Sequence, residues 1–165
     1  MHRLRHRDLV ALLEFVGELH RLGDVTTFRR RLVRAMPRLI PSDAATCMEI
    51  DLRNARLTGV TEPEGLFAGG RADTLGRVVG GSPLLRSYTR GKGSAVKLSD
   101  FVTRTELHRT EIYDEWFRPL GVEYQICKGL PGRRGYVTAM SLERSGRDWR
   151  EAYERQPFSL LALVR

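Results

Sequence analysis

The sequence predicts one α+β domain, an antiparallel sheet flanked by helices with a helix pair ahead of it. Three observations lead there. Apolar residues recur at helical spacing through the first 36 residues, the period switches to two at residue 45, and a second pair of period-two segments follows residue 123. A chain of 165 residues fits a single domain that buries roughly two-thirds of the surface its unfolded form exposes. No internal repeat or linker divides it, and the elements read in the order ααββαβααββα.

Residues 8–22 place Leu9, Leu12, Leu13, Val16 and Leu19 on one helical stripe, closed by Gly23. Asp24 is positioned to cap a second helix over 26–36, with Phe28, Leu32, Val33 and Met36 inward and Pro37 and Pro41 marking its end. So short a connection packs the two helices antiparallel or sharply crossed. Thr46, Met48 and Ile50 then alternate with Cys47, Glu49 and Asp51, Arg53-Asn54 supplies a turn, and residues 56–60 return as the second strand of a hairpin. After the loop Glu62-Pro63-Glu64-Gly65, residues 71–80 read as a short helix bearing Leu75, Val78 and Val79, stopped by Gly80-Gly81-Ser82-Pro83. Residues 95–98 form a strand. Thr103-Arg104-Thr105-Glu106 matches a capping box, so a helix starts there. Residues 110–117 add helical turns that end at Pro119-Leu120-Gly121. Strands over 123–130 and 136–143 follow, joined by the tight connection 131–135, and a last helix begins at Asp148.

The formal charge of +8 is carried almost wholly by arginine, with lysine only at 92, 97 and 128, and nine arginines fall within residues 1–38. A basic face attracts nucleic acid or an acidic partner. No run of aromatics or glycines alternates with these arginines for base stacking, so a solvated helical face is the plainer reading. No apolar run approaches the ~20 residues that span a bilayer. The charged start is followed by glutamates at helical spacing with no small-residue cleavage site, and a cytoplasmic protein is expected.

The chemistry-bearing residues do not assemble a catalytic set, and the chain is not expected to be an enzyme. Cys47 and Cys127 each sit inside a β-like run without CxxC spacing and read as buried free thiols. His2, His6 and His20 make no ligand set, so no metal and no cofactor is expected. His108 stands beside Arg104 and Arg109, one turn from Glu106 and Glu111, with no Ser or Cys at contact spacing. Helix-surface hydrogen bonding, pocket lining and, least favoured, general-base catalysis are open to it. Glu49 and Asp51 share one strand face at a hairpin edge, where Arg53 and Arg56 make them solvated charges. The glycines of 129–135 match neither GxGxxG nor the Walker spacing and read as a turn. Tyr113, Trp116 and Phe117 fall at i, i+3 and i+4, with Tyr124 shortly after on a strand, and their first role is packing between helix and sheet.

The stretch Lys97-Leu98-Ser99-Asp100-Phe101, continuing through Arg104, Leu107-His108-Arg109-Thr110, Tyr113 and Trp116-Phe117-Arg118-Pro119-Leu120-Gly121-Val122, resembles the GAF-like N-terminal sensor domains of LuxR-type bacterial transcription regulators. Flanking segments agree with it, among them Ile40-Pro41-Ser42-Asp43, Ser82-Pro83-Leu84-Leu85, Leu142-Glu143-Arg144 and Arg147-Asp148-Trp149, so the resemblance covers nearly the whole chain. It implies a sensory domain that binds a small organic effector or a partner, in a cavity between the sheet and the segment that connects to it. Met48, His108, Tyr113, Trp116, Phe117 and Tyr124 are the positions expected to line that cavity. The resemblance further implies a homodimer through the N-terminal helices, with DNA reached only through a helix-turn-helix module not found in residues 1–165. On this reading residues 1–155 are the sensor domain and 156–165 an apolar tail in which Pro157 interrupts any continuing helix, either a truncated connection or a docking strand or helix. The alternative is a stand-alone dimerisation or protein-interaction module with no ligand.

Overall fold

The structure is a computed structural model, and it describes residues 6–20, 24–85, 95–130 and 134–149. Gly23, the last helix beyond Trp149 and the 156–165 tail of the sequence reading lie outside the described residues, as does most of the 131–135 connection. Helices α1 (His6–His20) and α2 (Val25–Leu39) come first. Asp24 caps α2 as its position suggested, its Oδ1 accepting the Thr27 backbone N–H at 2.9 Å. Pro37 does not end this helix. It sits in the last turn, where a single missing N–H is tolerated, and the Ile40 N–H closes the helix on the Met36 carbonyl.

Five antiparallel strands follow: β1 (Ala44–Asp51), β2 (Arg56–Glu62), β3 (Val96–Lys97), β4 (Tyr124–Leu130) and β5 (Tyr136–Arg144). Their spatial order is β2-β1-β5-β4-β3. Two hairpins, β1–β2 and β4–β5, thus lie side by side, and β1 is an interior strand rather than an edge. Glu49 accordingly meets α2, where Arg29 bonds it at 3.3 Å, while Asp51 accepts from the Arg53 and Asn54 backbone N–H groups of the turn.

Because strand side chains alternate, the sheet feeds two separate cores. Against one face, Leu32, Val33 and Met36 of α2 and Phe15 of α1 pack on Cys47, Ile126, Met140 and Leu142, with Trp149 fully buried beside them. Of the α1 stripe expected from the sequence, Val16 is half-buried and Leu13 exposed, and the side chains of Leu9, Leu12 and Leu19 lie outside the description. Among the described side chains of α1, Phe15 is buried, whereas Leu13 is 69 % exposed and Val10 39 % exposed.

The other face carries Met48, Ile50, Cys127, Val137 and Ala139. Over it lie α3 (Arg71–Val78), the short α4 (Arg104–Leu107) and a π-helical turn, Tyr113–Phe117. The capping box at the start of α4 is present in both directions. Thr103 Oγ1 accepts the Glu106 N–H at 3.2 Å, and Glu106 Oε2 accepts the Thr103 N–H at 2.7 Å. Gly76 lets α3 lie directly on the β1–β2 turn, since a Cβ there would collide with the Ala55 carbonyl oxygen. Cys47 and Cys127 are both buried free thiols, one in each core.

Candidate functional site

On the α3 side of the sheet the apolar surface is broken by four polar side chains at the β1–β5–β4 junction. The register sets Thr46 opposite Ser141, and Gln125 opposite Glu143. All four are buried, Glu143 to 4 % exposure. They form one hydrogen-bonded group. Glu143 Oε1 accepts from Ser141 Oγ at 2.6 Å and from Gln125 Nε2 at 3.0 Å, and Ser141 Oγ lies 2.6 Å from Thr46 Oγ1. Ser141 has one hydroxyl proton and gives it to Glu143, so Thr46 donates to Ser141. Glu143 Oε2 has no partner among the described residues.

The 113–117 turn covers this group. Its wide winding, closed by the Arg118 N–H on the Tyr113 carbonyl, turns Tyr113, Trp116 and Phe117 inward together. Two spaces open beneath it. The first, about 40 Å³, is bounded by Met48, Leu75, Trp116, Phe117 and Gln125 among others and is large enough for two or three waters. The second, about 200 Å³, lies toward the Ala44 end of β1 and is bounded by Pro63, Leu66, Leu120 and Val122. Thr46, Trp116 and Glu143 border both. The Trp116 indole is in turn stacked on Phe67, with ring centroids 5.8 Å apart. Burial pushes the Glu143 carboxyl up to about 7, the bonds from Ser141 and Gln125 offsetting only part of that effect.

Of the residues expected to line a pocket, Met48, Trp116 and Phe117 border these spaces. The other three do not. Tyr113 and His108 belong to a cluster outside the cavity around Glu123, which accepts from Tyr113 Oη, His108 Nε2 and Arg104 Nε at 2.8 Å each. The His108 and Tyr113 rings stack at 4.0 Å. Burial works against the Glu123 charge, but the bonds from Arg104, His108 and Tyr113 outweigh it and hold the carboxyl down at about 2. Tyr124 shares the alternation of Ile126 and so faces the α1–α2 core on the opposite side of the sheet. Sequence reasoning did not single out Thr46, Gln125, Ser141 or Glu143 for this site. The signal available was on β5, where Ser141 and Glu143 continue the inward set Val137 and Ala139 and put a carboxyl where apolar residues precede it.

Three of the five arginines of α2 are engaged with carboxylates, while Arg30 and Arg31 are exposed. Arg34 lies 2.5 Å from Glu64 and Arg38 lies 2.7 Å from Glu18, besides the Arg29–Glu49 pair. Among the described residues no group of three His, Cys, Asp or Glu is arranged to hold a metal ion, and no helix is long and apolar enough to cross a membrane.

No protein-family model and no curated protein matches the sequence. Solved structures do. The VqsR LBD domain from Pseudomonas aeruginosa is similar over 92 % of this chain and 94 % of its own, with a TM-score of 0.63 and 17 % identity. CepR2 from Burkholderia cenocepacia, an N-acylhomoserine lactone dependent LuxR family transcription factor, is similar over 96 % and 93 %, with a TM-score of 0.68 and 13 % identity. The GAF domain of an Acinetobacter phosphoenolpyruvate-protein phosphotransferase aligns over 98 % and 92 %, with a TM-score of 0.56 and 15 % identity. The fold is therefore GAF-like, with an antiparallel five-stranded sheet and helices on both faces.

Proposed function

We propose that this chain is a cytoplasmic sensory domain of the LuxR-regulator type, which takes up a small organic molecule between the sheet and the 113–117 turn. The observation that carries the reading is the pair of spaces sharing Trp116 and Glu143, apolar on most sides and furnished with one convergent polar group. A fold held in common with the VqsR LBD domain and with CepR2 supports it. The space is smaller than the ~300–1,000 Å³ of clefts that hold drug-sized ligands, so the molecule is small. Binding would bias the domain toward one conformation and pass that bias to an output module, leaving DNA to that module. The reading assigns the chain no catalysis, because His108 and Glu123 hold each other with Tyr113 and Arg104 and have no nucleophile beside them.

The test is a thermal-shift screen of small amines, alcohols, acids and acyl compounds, followed by tryptophan emission. A ligand at about 100 times its Kd adds about 2.7 kcal/mol of apparent stability. It should also change the emission of Trp116, an effect lost in Trp116→Phe while Trp149 still reports. A screen in which nothing raises the melting temperature overturns the reading.

A second reading, association of two copies through α1, rests on the exposed Val10 and Leu13, which stand three residues apart on one helical face. Sedimentation equilibrium should then show a dimer that Leu13→Glu converts to a monomer. A wild-type monomer at high protein concentration removes it.

A further inference from the structure

We propose that Glu143 recognises a protonated amine: its Oε2, buried and without a protein partner among the described residues, takes the ammonium of a ligand whose apolar body lies along Trp116, Leu66 and Leu120. This assignment rests on the sensory reading above and names the ligand chemistry it requires.

The hydrogen bonds around the carboxyl all run one way. Thr46 donates to Ser141, Ser141 donates to Glu143, and Gln125 donates to the same Oε1. Every neighbouring proton thus points toward the carboxyl, an arrangement that suits an acceptor bearing negative charge. Two donors occupy Oε1, and Oε2 has none. A buried carboxylate left this way is costly unless a cation joins it.

No described side chain supplies that cation. Arg144, next in the chain, donates to the Pro41 carbonyl and lies over the Trp149 ring at 3.9 Å. Asp43, which borders the larger space, accepts both the backbone N–H and the hydroxyl of Ser145 at 2.7 Å. The charges on α3 and the 111–118 segment above the site, Arg71, Asp73, Arg77, Glu111, Asp114, Glu115 and Arg118, are all exposed to solvent. With no cation for Oε2 among the described side chains, the ligand supplies it, and the Trp116 indole lines the space through which it would enter. A neutral hydroxyl could donate to Oε2 but would leave the charge uncompensated.

The direction of the pH effect follows. A simple amine stays protonated well above neutrality, near the lysine value of about 10.4. Glu143 titrates at about 7, so its proton must leave before the ammonium pairs with it. Amine affinity therefore rises with pH up to about 7, by at most about tenfold per unit, and levels off above it.

The experiment is calorimetric titration and thermal shift with 2-phenylethylamine, 2-phenylethanol and 3-phenylpropanoate, on wild type at pH 6 and pH 8 and on Glu143→Gln at pH 8. The expected result is amine binding at pH 8 that weakens about tenfold or more at pH 6 and in Glu143→Gln. The alcohol should bind more weakly than the amine and without pH dependence, and the acid more weakly still. The wild-type pH series keeps the test decisive if the variant does not fold. Equal affinity for amine and alcohol, or amine binding unchanged by pH and by Glu143→Gln, overturns the amine assignment and leaves the sensory reading standing. Failure of all three compounds overturns the amine assignment, and the sensory reading then falls or survives on the wider screen.

Discussion

Replacing Glu143 by Gln at the β1–β5–β4 junction should stabilise the ligand-free protein at neutral pH and do nothing in acid. In the fold the carboxyl titrates at about 7 because it is buried, against an ordinary value of 4.5. The folded state therefore holds a proton more tightly than the unfolded chain does. Stability from this group is complete below pH 4.5, falls as pH rises between 4.5 and 7, and is gone above 7. Each pH unit in that interval is worth about 1.4 kcal/mol, so the whole interval amounts to roughly 3 kcal/mol. In Glu143→Gln the side-chain amide would keep an oxygen for Ser141 and Gln125, and its nitrogen would replace the orphaned Oε2 without a charge to desolvate. Urea denaturation of both proteins between pH 4.5 and 8 measures the effect. The two curves of stability against pH should coincide near 4.5 and diverge to about 3 kcal/mol in favour of the variant at pH 8. Parallel curves would refute the reasoning, because they mean that Glu143 does not take on a buried charge in the folded protein as the pH rises through 7.

Three further outcomes can be checked by the same denaturation. Glu123→Ala strands the donors of Arg104, His108 and Tyr113 and should cost about 1–3 kcal/mol at pH 7. That cost is present above pH 4.5 and shrinks as the pH falls toward about 2, opposite in sense to Glu143. Gly76→Ala drives a methyl into the Ala55 carbonyl and should cost about 1–3 kcal/mol by pushing α3 off the β1–β2 turn. Thr103→Ala removes one half of the α4 capping box and should cost about 1 kcal/mol, with Thr103→Ser restoring most of it.

Much of this architecture can be read from local signals that act within a few residues. Asp24 and the Thr103–Glu106 pair announce helix starts because a cap satisfies its donors within one turn. The alternation in β1 and β5 announces strands for the same local reason. What escaped the sequence depends on partners far along the chain. Glu49 reads as an edge residue until β5 is known to lie beyond β1. Tyr124 and Gln125 are neighbours in sequence, and only the assembled sheet decides which of them meets the 113–117 turn. Tyr113 looks like a pocket aromatic from its spacing with Trp116, yet its hydroxyl is claimed by Glu123, ten residues on. Glu143 was hidden differently. A carboxyl in an apolar strand ordinarily signals a solvent-facing side, and its burial became visible only when Ser141 and Gln125 were seen to meet it.

The two thiols placed on opposite faces of the sheet also have a use. Cys47 and Cys127 lie on strands separated by β5 and belong to different cores, so the folded chain cannot join them in a disulfide. Burial raises the Cys47 thiol above its ordinary value and slows its chemistry further. Each cysteine is then a clock set in its own layer: alkylation of Cys47 times the lifting of the helix pair, and alkylation of Cys127 times the opening of the cavity side. A molecule seated under Trp116 should slow the second clock more than the first, so that a mass spectrum of two labelled peptides tells which half of the protein a ligand has closed.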